Sequence, residues 1–285
     1  MISVIITACE EKESIKKALE SFLPQIGSKD EIIVVAPDKE TLDTASKASN
    51  KVTTVTDKGK GKPAALNLAL SKAKGKIVIL SDGDVWVSDK SVKYLKEKIT
   101  DSGMGIVSGR PVSLNDRNTV FGFWAYVLTQ VADSIRREKD KKNEYFDVSG
   151  YLLAAKRGLL PNLPENVLAD DVYLSQKVFC QGLKTAYAPK ARVYIKYPTN
   201  FKDWFKQKIR SAGGASELAE AQAQPMRSFI KEAKGIKYFL GLPQNGKEWF
   251  WLASLFLARA GLWLLIFIKH GILKRKTWPR VESTK

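Results

Sequence analysis

The chain has a single histidine, His270, so acid–base chemistry falls to its carboxylates. Ser81-Asp82-Gly83-Asp84-Val85 follows directly on an apolar run, Ile77 to Leu80. An Asp-x-Asp at the carboxyl end of a strand offers oxygen ligands to a hard divalent cation. Mg2+ or Mn2+ there would bridge a diphosphate and neutralise charge on a departing nucleotide. The plainer reading is an Asp-Gly turn, and the position after a buried-looking strand favours the first. Leu168-Ala169-Asp170-Asp171-Val172-Tyr173-Leu174 sets two carboxylates just before an amphipathic helix. Either could cap that helix, or act as general base toward an acceptor hydroxyl. Lys58-Gly59-Lys60-Gly61-Lys62-Pro63-Ala64-Ala65-Leu66-Asn67 is a basic, Gly-rich loop running into a helix start. Its backbone N–H groups and lysines suit a phosphate, although alone it reads as a solvated basic loop. It is not a P-loop, because Pro63 follows Gly61-Lys62. The polar residues of Gln207-Lys208-Ile209-Arg210 could reach a diphosphate or simply coat a helix.

The elements that must position these residues alternate between two periods. Val4-Ile5-Ile6, Glu31 to Ala36, Lys51 to Thr56 and Ile77 to Leu80 read as strands. Ser14 to Leu23, Thr41 to Ala48 and a segment opened by Pro63 and stopped by Gly75 read as helices. This alternation predicts an α/β fold, a mostly parallel sheet flanked by helices. Such sheets bind ligands beyond the carboxyl ends of their strands. Further on, Phe121 to Ile135, Asp171 to Phe179 and Phe201 to Arg210 read as helices, and Phe146 to Ala155 and Thr185 to Ile195 as strands. Gly213-Gly214 is expected to break the last helix, and Ala215 to Pro225 to form a loop.

The order of these motifs resembles that of family-2 glycosyltransferases of the GT-A fold, from about Ile2 to Ser211. The matching residues are Glu11 near the first strand, then Gly61-Lys62-Pro63-Ala64-Ala65-Leu66-Asn67, then Asp82-Gly83-Asp84. Ser149-Gly150, Asp170-Asp171, and Gln207 with Arg210 follow in the same order. The resemblance implies an inverting hexosyltransferase that uses a nucleoside-diphosphate sugar with Mg2+ or Mn2+. It implies that Asp84 binds the metal with Asp82 beside it, near the nucleoside ribose. It further implies Asp171 as general base with Asp170 next to it, and Glu11 and Asp38 near the nucleoside. Lys62 and Asn67 join the donor-binding set, and Gln207 and Arg210 approach the diphosphate and acceptor. Three departures stand out. Val35-Ala36-Pro37-Asp38 replaces the usual acidic stretch, Asp170 stands where Glu is more usual, and Ser211 replaces a tryptophan, which argues against processive polymer synthesis. The implied organisation is a GT-A domain over 1–211, with a donor half to about 115 and an acceptor half from about 116. A loop and amphipathic connector over 212–248 and a hydrophobic helix with a basic tail over 249–285 complete it.

Bulk properties bound the partners. The formal net charge is +17, which attracts phosphorylated substrates, anionic lipid or nucleic acid. Cys9 and Cys180 form no CxxC pattern, which fits a reducing compartment. The opening residues lack the pattern of a signal peptide, so a cytoplasmic location is expected. Trp249 to Ile268 is the most apolar stretch, with Arg259 near its middle and basic residues on both flanks. A helix lying in the interface or a re-entrant hairpin puts both flanks on an anionic cytoplasmic leaflet. A spanning helix ranks second and a buried core helix third. The expected partners are therefore a nucleotide-sugar donor, a glycan or lipid-linked acceptor and an anionic membrane surface. Two other readings remain: a nucleotidyltransferase, whose Gly-rich signature is missing after the first strand, and a non-enzymatic nucleic-acid or membrane binder. The ordered carboxylates argue against both.

Overall fold

The computed structural model describes residues 1–165, 167–217 and 236–270, without the side chains of 210–217 and 266–270. Four short apolar runs become the strands β1 (Ile2–Thr7), β2 (Glu31–Ala36), β3 (Val52–Thr56) and β4 (Ile77–Asp82). The helices α1 (Ser14–Phe22), α2 (Lys39–Ser46) and α3 (Lys62–Lys72) alternate with them. β1 pairs in parallel with both β2 and β4, and β2 with β3. Their carboxyl ends therefore share one edge, where Thr7 is the register partner of Asp82.

The rest of the sheet is antiparallel where its pairing is resolved, so the whole is a mixed GT-A-like α/β fold. β5 (Trp86–Val87), α4 (Ser91–Thr100) and β6 (Met104–Ser113) precede α5 (Val120–Lys141). β7 (Leu152–Lys156), α6 (Asp170–Phe179) and β8 (Lys184–Ile195) follow. β7 runs antiparallel to both β4 and β6, and β5 antiparallel to β8. The eight-stranded order is β3-β2-β1-β4-β7-β6-β8-β5. Ile5, Val35, Leu66, Leu80, Leu153, Leu174 and Val178 share one core under this sheet. The expected strand Phe146 to Ala155 is shorter, because only Leu152–Lys156 pairs. Before it, the amides of Phe146 and Val148 donate to the hydroxyls of Thr185 and Ser175, which satisfies buried backbone without a ladder.

The chain groups into two units. One is Met1–Val112 with Arg136–Ile195, and the other is Ser113–Ile135 with the described part of Lys196–Lys285. The second unit contains α7 (Phe201–Glu217) and α8 (Gly246–His270). α7 runs through Gly213-Gly214, contrary to the expected break. Helix propensity is a weak prior, and the flanking alanines offset the cost of two glycines. The expected loop at Ala215 to Pro225 is helical to Glu217, and its remainder lies outside the described residues.

α8 is one continuous helix, so the apolar stretch is not a re-entrant hairpin. Trp251, Leu252 and Leu255 pack with Phe123, Trp124, Val127 and Trp204 in an aromatic core. Trp124 Nε1 donates to the Trp251 carbonyl at 2.9 Å. Arg117 grips Glu248 with two 2.8 Å bonds and fixes the start of α8. The opposite face is apolar and bare: Phe250, Leu257 and Leu264 are 73%, 74% and 62% exposed. By length and composition Gly246–Leu265 is able to cross a membrane. The core-helix reading thus holds for one face and leaves the other unaccounted for.

Candidate active site

The shared carboxyl edge of β1, β2 and β4 gathers the acidic residues. Asp82 ends β4 and accepts from the Thr7 hydroxyl at 3.2 Å. The Gly83 amide donates to the Thr7 carbonyl at 2.9 Å, which folds the Asp-Gly-Asp turn onto the end of β1. Only glycine fits there, since a Cβ on Gly83 would lie 2.6 Å from that of Ala8 and 3.5 Å from that of Glu11. Asp84 follows. Burial first, then the neighbouring Asp82 and Glu11 carboxylates, push its pKa up to about 7. Thr7 was not singled out from the sequence, and the signal for it was its register opposite Asp82 on a parallel neighbour.

Asp38 lies at the end of β2 as the N-cap of α2. It accepts from the Thr41 amide at 2.9 Å and the Glu10 amide at 2.7 Å. Burial would raise its pKa, but the bonds from Thr41 and Glu10 prevail and hold it below the ordinary value. Asp38 therefore ties the loop carrying Glu11 to α2, and the Thr41 hydroxyl binds the Glu11 amide at 2.9 Å. The Glu11 carboxylate accepts from Ser14.

Lys62 joins the two acidic motifs. Positive φ at Gly59 and Gly61, +66° and +100°, turns the basic loop into α3, a conformation that favours glycine. Lys62 then stands in the first turn of α3, with its Nζ 2.7 Å from Asp82 Oδ1 and 3.5 Å from Asp170 Oδ2. Burial opposes its charge, but Asp170 and Asp82 outweigh that and hold its pKa above the ordinary lysine value. Burial, reinforced by Asp171 and Asp82 and opposed by Lys62, raises the pKa of Asp170. Asn67, one turn on from Lys62, uses both ends of its amide on the Leu163 backbone, each at 2.8 Å. It acts on the site by holding the segment that leads to Asp170.

The acidic pair is positioned from two sides. Asp171 Oδ2 accepts from the Gly150 amide at 2.9 Å, and Oδ1 from the Val172 amide at 2.9 Å. A Cβ on Gly150 would lie 3.2 Å from that carboxylate, which explains the Ser-Gly ahead of β7. Asp170 faces Lys62 while Asp171 faces Gly150. Gln207 lies on α7 in the second unit, and the Arg210 side chain is outside the described residues.

The carboxylates suit a shared metal better than a caged one. Among the described residues no group of three or more His, Cys, Asp or Glu is arranged to enclose an ion. Mg2+ is commonly held by one or two carboxylates plus substrate phosphates. Asp82 and Asp84 offer the kind of donor such a site uses, and a cation would offset the burial and the neighbouring carboxylate charge that raise the pKa of Asp84.

Known proteins show the same fold. The mannosyltransferase PcManGT from Pyrobaculum calidifontis, in complex with GDP-Man and Mn2+, superposes with a TM-score of 0.61 at 21% identity, over 95% of this chain and 79% of that one. Glucosyl-3-phosphoglycerate synthase from Mycobacterium tuberculosis, in complex with Mn2+, UDP and phosphoglyceric acid, gives 0.55 at 22% identity, over 79% of each chain. The poly-beta-1,6-N-acetyl-D-glucosamine synthase of Staphylococcus aureus (strain COL) is 22% identical over 76% of this chain and 55% of its own length. The chain thus spans about half the length of that relative. The family described as "Glycosyltransferase like family 2" matches residues 1–214, and the chain belongs to it.

Proposed function

We propose that the protein is an inverting, metal-dependent hexosyltransferase that moves a sugar from a nucleoside diphosphate to an acceptor hydroxyl or phosphate. The observation that carries this reading is Lys62, whose ammonium links Asp82 at the end of β4 with Asp170 at the start of α6. A donor-side motif and an acceptor-side motif thereby meet at one point. Family membership and a fold shared with GDP-Man- and UDP-bound enzymes support it.

In this reading Asp171 takes the proton from the acceptor as its oxygen attacks the sugar C1. The new O–C1 bond forms as the bond from C1 to the diphosphate breaks, and the diphosphate leaves with the electron pair. Gly150 holds the Asp171 carboxylate in place. Lys62 offers positive charge next to the leaving group. Asp84 with Asp82 would hold Mg2+ or Mn2+, which when bound supplies charge neutralisation at the diphosphate. Glu11 and Asp38 border the nucleoside side, and Gln207 and Arg210 are candidates for the diphosphate and acceptor. An acidic pair that supplies the base, with no separate nucleophile proposed among the described residues, favours single displacement with inversion.

The bare face of α8 supports attachment to an anionic membrane surface, with the cytoplasmic face as the proposed location and a lipid-linked acceptor as one option. The test of the chemistry is Asp171→Asn. It should retain donor binding and lose nucleotide release and sugar transfer by about 100-fold or more. An active Asp171→Asn beside a dead Asp170→Asn moves the base to Asp170.

A further inference from the structure

A shallow, open depression lies away from the acidic motifs at Asp82, Asp84, Asp170 and Asp171. Lys190, Arg192 and Tyr194 alternate along β8 and so share one face of the strand. With Val87, Ser88, Asp89 and Tyr94 they line a cavity of about 500 Å3. A smaller cavity of about 270 Å3 shares Tyr94 and Lys190 with it. None of Asp82, Asp84, Asp170 or Asp171 lines either. The walls are fixed by backbone. The Ser88 amide donates to the Arg192 carbonyl at 3.0 Å, and the Gln25 side-chain Nε2 donates to the Ser88 carbonyl at 3.1 Å.

Rings accompany the cations on and beside this face. The Lys17 ammonium sits 3.4 Å from the centre of the Trp86 ring, and Trp86 lies 6.4 Å from Tyr194. Lys190 lies 5.8 Å from the Tyr94 ring. Neither Lys190 nor Arg192, both exposed, has a carboxylate within ion-pair distance among the described residues. Trp86 opens β5 two residues after Asp84, so the row begins where the Asp-Gly-Asp turn ends. In the smaller cavity Glu97 and Asp101 appear beside Lys98 and Lys190, so the excess of positive charge ends there.

We propose that this face binds an extended anionic glycan, the acceptor or its product, whose phosphate or carboxylate groups meet Lys190 and Arg192 while its sugar rings lie on Tyr94 and Tyr194. The inference rests on the transferase reading above and names the acceptor class for it. Two cations with no ion-pair partner among the described residues, against the single carboxylate of Asp89, leave the groove net positive and favour an anionic ligand. The accompanying rings favour one that also presents flat, partly apolar surfaces. A bilayer meets the opposite design, a convex apolar face such as that of α8. A nucleic-acid strand is also anionic and also stacks on rings, so it is the rival to eliminate.

The test measures binding of three fluorescently labelled probes to the full chain: a glycerol-phosphate oligomer, an oligogalacturonate and a neutral chito-oligosaccharide. Charge-matched single-stranded DNA and phosphatidylglycerol vesicles serve as competitors. At least one of the two anionic glycans should bind, and the pair distinguishes phosphate from carboxylate as the recognised group. Lys190→Ala with Arg192→Ala should weaken that binding by about tenfold or more. Tyr94→Ala should weaken it at unchanged charge, and Lys29→Ala with Lys47→Ala, exposed elsewhere, should not. Equal binding of the neutral glycan would overturn the proposal. So would DNA or vesicles that displace the glycan at equal charge, or indifference of every probe to the Lys190 and Arg192 changes. Donor binding, followed separately by thermal shift, reports on the transferase reading alone, so the two can fail independently.

Discussion

At the scale of single residues, Asp84 would couple protonation to cation binding. Its pKa, pushed up to about 7 by burial, Asp82 and Glu11, lies above the unfolded value of 3.8. The folded, ligand-free state therefore binds the extra proton between those values. The stability this contributes is complete below about pH 4 and is lost as pH rises through about 7. A cation needs the ionised carboxylate, so it competes with that proton. Mn2+-dependent donor binding should strengthen from about pH 6 to 8 and then level off. In Asp84→Asn the dependence on both Mn2+ and pH should vanish. Titration by calorimetry across that range checks this, and a flat wild-type profile would contradict it. These carboxylates were legible in the sequence because they end strands or begin helices, where local pattern is strong. The Gly150 amide on Asp171, the Thr7 hydroxyl on Asp82 and the Asn67 clamp on Leu163 were not legible, because each joins residues distant in the chain. Asn67 illustrates the difference: its motif points to the donor, whereas its amide is engaged by backbone.

At the scale of elements, two glycines let strands and helices approach closely enough to form the site. Gly83→Ala would drive its Cβ to 2.6 Å from that of Ala8, against a backbone already bonded to Thr7. Overpacking of this kind should destabilise by about 1–3 kcal/mol, seen as a lowered midpoint in thermal unfolding. Gly150→Ala meets a milder contact, 3.2 Å to the Asp171 carboxylate. It should displace that carboxylate and cut transfer by about tenfold or more, with little change in stability. A Gly150→Ala enzyme with full turnover would remove Gly150 from the positioning of Asp171. The parallel half of the sheet followed directly from period and punctuation. β6 and α4 did not, because Gly105, Gly109 and Pro111 disguise β6 as a loop. α7 likewise overrode Gly213-Gly214.

At the scale of the whole molecule, an excess of positive charge and one bare apolar helix face accompany a transferase fold. Removing the chain from Trp249 onward would strip Trp251, Leu252 and Leu255 from the aromatic core, so truncation cannot separate folding from membrane binding. Replacing Phe250, Leu257 and Leu264 by Gln spares that core. It should leave the unfolding midpoint near wild type and weaken binding to phosphatidylglycerol vesicles by more than about 100-fold. Unchanged flotation with vesicles would show that this face does not meet lipid. We propose above all that the carboxylate edge binds a nucleoside-diphosphate sugar together with a divalent cation. Its most direct test is a thermal-shift screen of UDP-, GDP- and dTDP-sugars against wild type and Asp84→Asn, with Mn2+ and with chelator. One nucleotide class, with Mn2+ only, should stabilise wild type by about a few kcal/mol at saturation, and Asp84→Asn should lose the shift. Stabilisation that persists in chelator or in Asp84→Asn, or none from any donor, would contradict it.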